Sequence, residues 1–246
     1  MRILLLIIPL LMAGCGPSTQ AVINIAGSTS VQPIAEALAI EYQKAHPGIV
    51  INVVGGGSTA GIQAVREGAA QIGTSSRALK AEESDLIGIE IANDDIAVIV
   101  NSQNPLKSLS LIKIRKIFDG EITNWKQVGG KNRPIIVVTR EEGSGTRGAF
   151  EDEVMQKRDI TENALVQDSN GAVRETILGN RDAIGYISAG MMVAGVKVLK
   201  TEEQLLRPFL FVFTKKPAGQ ERKFLDFILS AKGQDLVRQE GYQRIK

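Results

Sequence analysis

The feature that most restricts this chain is a regular alternation of β-prone apolar runs with helical stripes. Ala21-Val22-Ile23-Asn24-Ile25-Ala26 reads as a strand ending at Gly27. Val31 to Ala45 then carries Val31, Ile34, Ala35, Leu38 and Tyr42 at the spacing of one helix face. Ile49 to Val54 is a second strand, stopped by Gly55-Gly56-Gly57, after which Ser58 starts a short helix to about Glu67. Ile72 lies on a third strand. Further strands are expected at 87–91, 96–100, 135–138, 183–187, 196–199 and 209–213, and helices at 111–118, 146–157, 172–178, 220–229 and 233–240. Strands separated by helices in this rhythm predict an α/β fold with a mainly parallel sheet covered on both faces. The apolar runs 96–100 and 209–213 bracket a middle section, which suggests two α/β lobes: the chain leaves the first near 96, builds the second, and returns near 208.

The first fifteen residues read as a targeting segment. Arg2 gives a positive start, and the apolar run Ile3 to Leu11 is shorter than the roughly twenty residues a membrane-spanning helix needs. Ala13-Gly14 precede the only cysteine, Cys15. This ending resembles the bacterial lipoprotein signal, with residues 1–14 removed, Cys15 acylated and residues 15–20 forming a tether. Met12 departs from the leucine commoner in that pattern. A plain signal peptide with an incidental cysteine is the alternative.

Composition removes several functional classes. One histidine and one cysteine are too few for a Cys/His zinc site or a disulfide framework. A catalytic triad would have to run through His46, which sits at the expected end of a helix. A net charge of +2, with one Trp and three Tyr, lacks the basic stripe and stacking aromatics of a nucleic-acid surface. No Gly-Lys-Ser/Thr Walker sequence is present. Gly55 to Gly61 has the wrong glycine spacing for a dinucleotide fingerprint, and Gly56-Gly57-Ser58-Thr59-Ala60 misses the last glycine of a nucleophile elbow. No metal or cofactor is expected.

Three strand-to-helix turns carry the chemistry instead: Gly27-Ser28-Thr29-Ser30, Gly55-Gly56-Gly57-Ser58-Thr59 and Gly143-Ser144-Gly145-Thr146. Glycine admits close backbone approach, hydroxyls donate, and a helix start offers unpaired N–H groups. A single such turn is more simply an N-cap. Three of them at carboxyl ends of strands point to an oxyanion site. Arg140 adds a planar fork suited to two oxygens of a tetrahedral anion, with an adjacent glutamate able to fix it beforehand.

These turns, with Ile72-Gly73-Thr74-Ser75-Ser76-Arg77, Arg140 to Thr146, Ile117 to Trp125 and Ala183-Ile184-Gly185-Tyr186, together resemble the phosphate-binding proteins of ABC phosphate importers, the PstS family. The resemblance runs in family order from about residue 22 to the end. It implies a type II periplasmic binding protein that holds inorganic phosphate between two lobes and delivers it to a membrane permease. Lobe 1 is expected at 21–96 and 207–246, lobe 2 at 97–206, with hinges near 96–100 and 207–213. The resemblance assigns phosphate contacts to Thr29, Ser30, Ser58, Ser76, Arg140, Ser144, Gly145 and Thr146, and gives Glu142 the role of orienting Arg140.

One departure stands out. Family members have a carboxylate where Ser76 stands, to accept the phosphate's own proton, so discrimination against sulfate is expected to be looser here. Arg77 is either a second basic contact or the partner of a nearby carboxylate, and the sequence does not distinguish Ser75 from Ser76 as the residue facing the ligand. A monomeric, non-enzymatic, extracytoplasmic protein held at the membrane through Cys15 is expected. The alternatives are a binding protein for sulfate, molybdate or an organophosphate, a secreted phosphatase, and a structural envelope lipoprotein.

Overall fold

The computed structural model describes residues 20–245. The expected signal peptide at 1–14, Cys15 and residues 16–19 of the tether lie outside the described residues. The chain opens with β1 (Ala21–Gly27), α1 (Gln32–Ala45), β2 (Ile49–Gly55), α2 (Ser58–Arg66) and β3 (Ile72–Ser75). The helical crossovers allow β2, β1 and β3 to lie side by side in parallel. The stripe Ile34, Ala35, Leu38 and Tyr42 of α1 packs on Ile23 and Ile25 of β1, and Phe224, Leu225 and Ile228 from near the chain's end complete this core.

The strands expected at 87–91 and 96–100 are one continuous strand, β4 (Ile87–Asn101). Asn93, Asp94 and Asp95 have poor strand propensity, yet the ladder runs through them. Asp94 is paired there with Arg207, and Asp95 accepts the Leu205 N–H at 2.8 Å. The middle section follows as α3 (Leu111–Phe118), β5 (Ile136–Arg140), α4 (Gly145–Phe150), β6 (Leu165–Gln167), α5 (Asn170–Gly179), β7 (Ala183–Ser188) and β8 (Val196–Val198). The chain returns along β9 (Leu206–Phe213) and closes with α6 (Gly219–Leu229) and α7 (Ala231–Gln239).

Residues 87–95 of β4 pair antiparallel with β9, whereas residues 96–101 pair antiparallel with β7 and β8. Two lobes therefore share one long strand. The sheet is mixed, correcting the mainly parallel arrangement that the alternation predicts: β9 and β7 both run against β4, while parallel pairing is kept at β2-β1-β3 and β6-β5-β7. The helix expected over 146–157 is α-helical only to Phe150. Glu151–Met155 then forms a π-turn in which the Gln156 N–H reaches the Glu151 carbonyl, with Val154 and Met155 buried. β6 is absent from the sequence expectation because three residues are too few to show a period.

Lobe 2 packs around Phe118, Trp125, Phe150 and Tyr186. Phe150 stacks on Tyr186 at 4.1 Å, and Trp125 Nε1 donates to the Asp182 carbonyl at 2.9 Å. The family-like stretches around Trp125 and Tyr186 thus build the platform beneath β5. Replacing fully buried Phe150 with Ala should cost about 3–5 kcal/mol in urea unfolding. Ile112→Ala, on the exposed face of α3, should change stability by less than about 0.5 kcal/mol.

Candidate functional site

The carboxyl ends of β1, β2, β3 and β5 meet where the lobes touch. Ser30 Oγ, after β1, lies 2.8 Å from Thr146 Oγ1 of α4. The Thr59 N–H, in the first turn of α2, donates to the Gly143 carbonyl at 3.1 Å. Gly57 takes φ +94° immediately before α2, a backbone that admits glycine readily, and this lets Ser58 open the helix buried against the other lobe. A Cβ on Gly145 would sit 2.1 Å from Ser58 Oγ and 2.7 Å from Ser76 Oγ, so only glycine permits α4 to start against those hydroxyls. Ser144 is both cap and candidate ligand. Its Oγ accepts the Arg147 N–H at 3.2 Å, leaving its own proton free to donate.

Arg140 closes the cluster at 1% exposure. Its Nε and Nη2 donate to the two Glu141 oxygens at 2.9 and 2.8 Å, and to the carbonyls of Gln167 and Asp168 at 3.2 and 3.1 Å. The residue that orients the arginine is therefore Glu141, correcting the expectation of Glu142, whose side chain is exposed and makes no bond to the guanidinium. At the turn after β5, residue 141 lies beside the fork, and residue 142 is directed to solvent. Arg140 Nη1 remains buried with no hydrogen-bond partner. Below it, the Tyr186 hydroxyl bonds Thr139 Oγ1 at 2.7 Å and accepts the Arg140 N–H at 3.4 Å, and complete burial pushes its pKa up to about 12.

The third turn separates its two serines. Ser75 Oγ folds back onto Arg77, donating to its carbonyl at 2.9 Å, whereas Ser76 Oγ accepts from Ser28 Oγ at 2.9 Å and faces Gly145. The Ser76 N–H donates to Ser58 Oγ at 3.1 Å. Arg77 turns away into a buried two-pronged pair with Glu83, both contacts at 2.8 Å. Of the two roles open to it in the sequence, it takes that of a carboxylate's partner.

Sequence reasoning missed Asn170, Arg207 and Asp94. Asn170, at the start of α5, donates to Thr29 Oγ1 at 3.1 Å and Ser30 Oγ at 2.9 Å. Asp168-Ser169-Asn170 is a fourth capped helix start, whose signal is weaker than the others because no glycine precedes it. Arg207 on β9 pairs with Asp94 on β4 at 2.8 Å, both about 2% exposed, and also reaches Ser30 Oγ at 3.1 Å. Burial pushes the Asp94 carboxyl up and the Arg207 guanidinium down, each partly offset by the other. Arginine is not deprotonated in proteins, so Arg207 stays a cation. Only a long-range strand pairing brings these two together.

The assembled groups are hydroxyls, backbone N–H groups and fixed guanidinium donors, a set suited to gripping an anion by dipoles and charge. His46 lies elsewhere, stacked on Tyr42 at the end of α1 with Nδ1 2.9 Å from the Tyr42 carbonyl. Among the described residues no group of three or more His, Cys, Asp or Glu is placed to hold a metal ion.

Comparison with known proteins gives a consistent picture. The PBP superfamily domain matches residues 16–232. The phosphate-binding protein PstS of Bacillus subtilis is 32% identical over 241 residues, covering 89% of this chain and 79% of the relative. That of Borreliella burgdorferi is 28% identical, covering 92% and 91%. A Clostridium perfringens structure, described as a phosphate ABC transporter substrate-binding protein with bound phosphate, superposes with a TM-score of 0.88 at 40% identity, covering 92% of this chain and all of that one. An ABC-type phosphate transport receptor from Vibrio cholerae gives 0.75 at 37% identity over 91% of this chain and all of the receptor.

The Arg77–Glu83 pair, which holds the third turn, makes a pH prediction. The hydrogen bonds from Arg77 hold the Glu83 carboxyl below its ordinary value. A lowered folded value means the pair's stabilisation is complete above the ordinary glutamate range and is lost as pH falls through the folded value. Glu83→Gln should therefore lower the melting temperature at pH 7 and flatten its acid decline relative to wild type. Parallel acid limbs for the two proteins would contradict this.

Proposed function

The chain belongs to the PBP superfamily and, within it, to the PstS phosphate-binding proteins, and from that membership we propose that it captures inorganic phosphate between its lobes and delivers it to the permease of an ABC transporter. The observation that carries this reading is Arg140: four contacts hold Nε and Nη2, while buried Nη1 has no partner in the protein. Leaving a buried guanidinium N–H unmatched is costly, and an anion oxygen is the natural acceptor. Around it, Thr29, Ser58 and Ser76 from lobe 1 and Ser144, Gly145 and Thr146 from lobe 2 supply hydroxyl and backbone donors, while Ser30, expected as a direct contact, has its N–H bonded to Ser28 Oγ at 3.2 Å and stands behind Thr146. Glu141 fixes the arginine in advance, so little rotamer entropy is lost on binding.

Capture works as a two-state closure. Phosphate touches both lobes and favours the closed form in proportion to its differential affinity for that form. Closure excludes water and strengthens each dipole contact. We assign lobe 1 to 21–96 and 207–246 and lobe 2 to 97–206, a division supported to within one residue by the exchange of β4's partner from β9 to β7 between Asp95 and Ile96. The protein works outside the cytoplasm as a non-enzymatic monomer, attached to the membrane through acylated Cys15. Among the described residues no helix is long and apolar enough to cross a membrane.

Two calorimetric predictions follow from the site. Arg140→Ala removes a buried charge-assisted contact and leaves Glu141 unpaired. It should weaken phosphate binding by about 3 kcal/mol or more, roughly a hundredfold in Kd; near-wild-type affinity would refute the site. Because Ser76 replaces a carboxylate, sulfate meets less repulsion and should bind at pH 7 within about a hundredfold of phosphate. A weaker sulfate affinity than that would show that another group performs the discrimination.

A further inference from the structure

Arg207 is a buried cation that the proposed contacts leave out, and its bonds determine where the nearest hydroxyl protons point. Asp94 receives its Nε at 3.1 Å and its Nη2 at 2.8 Å. The same Nη2 lies 3.1 Å from Ser30 Oγ, and Asn170 Nδ2 lies 2.9 Å from that oxygen. The Asn170 amide has a defined orientation, because its Oδ1 accepts the Ser188 N–H at 3.1 Å, which leaves Nδ2 facing Ser30. A serine oxygen has two lone pairs and one proton. With an arginine and an amide both donating to it, Ser30 Oγ has no further accepting capacity. Its proton is therefore directed to Thr146 Oγ1, 2.8 Å away, which leaves the Thr146 proton available to a ligand.

Ser58 and Ser76 are set differently. Ser58 Oγ receives one donor, the Ser76 N–H at 3.1 Å. Ser76 Oγ also receives one, from Ser28, whose own oxygen is occupied by the N–H groups of Ser30 and Val31 at 3.2 and 3.4 Å. Each therefore keeps a lone pair able to accept a proton. Of these hydroxyl oxygens only that of Ser30 is closed to a further donor; Thr146 Oγ1, which receives the Ser30 proton alone, keeps one lone pair as Ser58 and Ser76 do.

We propose that Arg207 is a positioning residue for the anion: held by Asp94, it makes Ser30 an obligate donor and, through the Ser30–Thr146 hydroxyl pair, presents a proton to an unprotonated phosphate oxygen. This rests on the phosphate assignment of the site. Arg207 acts through Ser30 and not by touching the ligand, so its effect must disappear when the Ser30 hydroxyl is gone.

The test is a cycle of calorimetric phosphate titrations on wild type, Ser30→Ala, Asp94→Leu/Arg207→Met and the combination of all three. Replacing both members of the ion pair with apolar residues avoids orphaning a buried charge. If that variant fails to fold, Asp94→Asn/Arg207→Gln takes its place in the cycle. The serine variant and the pair variant should each lose about tenfold to a hundredfold in affinity, the value of a charge-assisted hydrogen bond. The combination should lose no more than the weaker of them. Undiminished affinity in the pair variant would make Arg207 purely structural, and multiplied losses would make it an independent ligand contact; either overturns the proposal. Wild type that binds phosphate while the cycle multiplies would sink the relay alone, whereas wild type that binds no phosphate would sink the phosphate reading with it.

Discussion

The structure depends on a buried ion pair at the junction of its two lobes. Asp94 and Arg207 lie on β4 and β9, the strands by which the chain leaves and re-enters the first lobe, and both are almost entirely removed from water. Isolated, either charge would be expensive to bury, and even a paired set is favourable only when its remaining donors and acceptors are matched. Here they are: Ser188 donates to Asp94 at 3.0 Å, and Arg207 reaches Ser30 Oγ and the Ser76 carbonyl. These partners belong to β7, to the turn after β1 and to the third turn. Satisfying one ion pair therefore ties together both lobes and two of the anion-facing turns.

The remaining turns follow the same logic of donors held in advance. Arg140 is fixed by Glu141 and two carbonyls, Arg77 by Glu83, and Ser144 by the first turn of α4. A small inorganic anion offers little apolar surface, so its binding has to come from dipoles and charges whose ordering cost was met during folding. Lobe 2 meets it with an aromatic platform of Phe118, Phe150 and Tyr186 under the end of β5, where the Tyr186 hydroxyl holds the strand at Thr139 and Arg140. A rigid base and a hydrogen-bonded rim together hold one arginine with its Nη1 buried and unpaired.

Much of this was legible in the residues. Helix stripes such as Ile34, Leu38 and Tyr42 appear where their spacing places them, and each glycine-hydroxyl turn lies at the contact of the lobes. Where sequence reasoning erred, a contact distant along the chain had the deciding role. Asn93-Asp94-Asp95 reads as a break between strands because its propensity is poor, but pairing with β9 and the Arg207 charge makes it the middle of one strand. Glu142 occupies the position family resemblance favours for orienting the arginine, yet the turn presents Glu141 to both nitrogens. Asn170 sits in a capped helix start without a glycine turn before it. It joins the site because α5 starts beside the turn after β1, 141 residues from Thr29.

By itself, the sequence determined the α/β alternation, the hydroxyl-rich turns and the presence of a single histidine outside the site, since periodicity and turn chemistry are local and act over a few residues. Tertiary structure alone decided how two adjacent residues divide: Ser76 and not Ser75 faces Gly145, and Glu141 and not Glu142 holds Arg140. It also decided that Arg207 and Asp94 stand behind Ser30. The physical reason is that neighbouring residues on a turn differ only in the direction of their side chains, and that direction is selected by partners brought close through strand pairing. No local pattern encodes those partners, because their proximity exists only once both lobes are built.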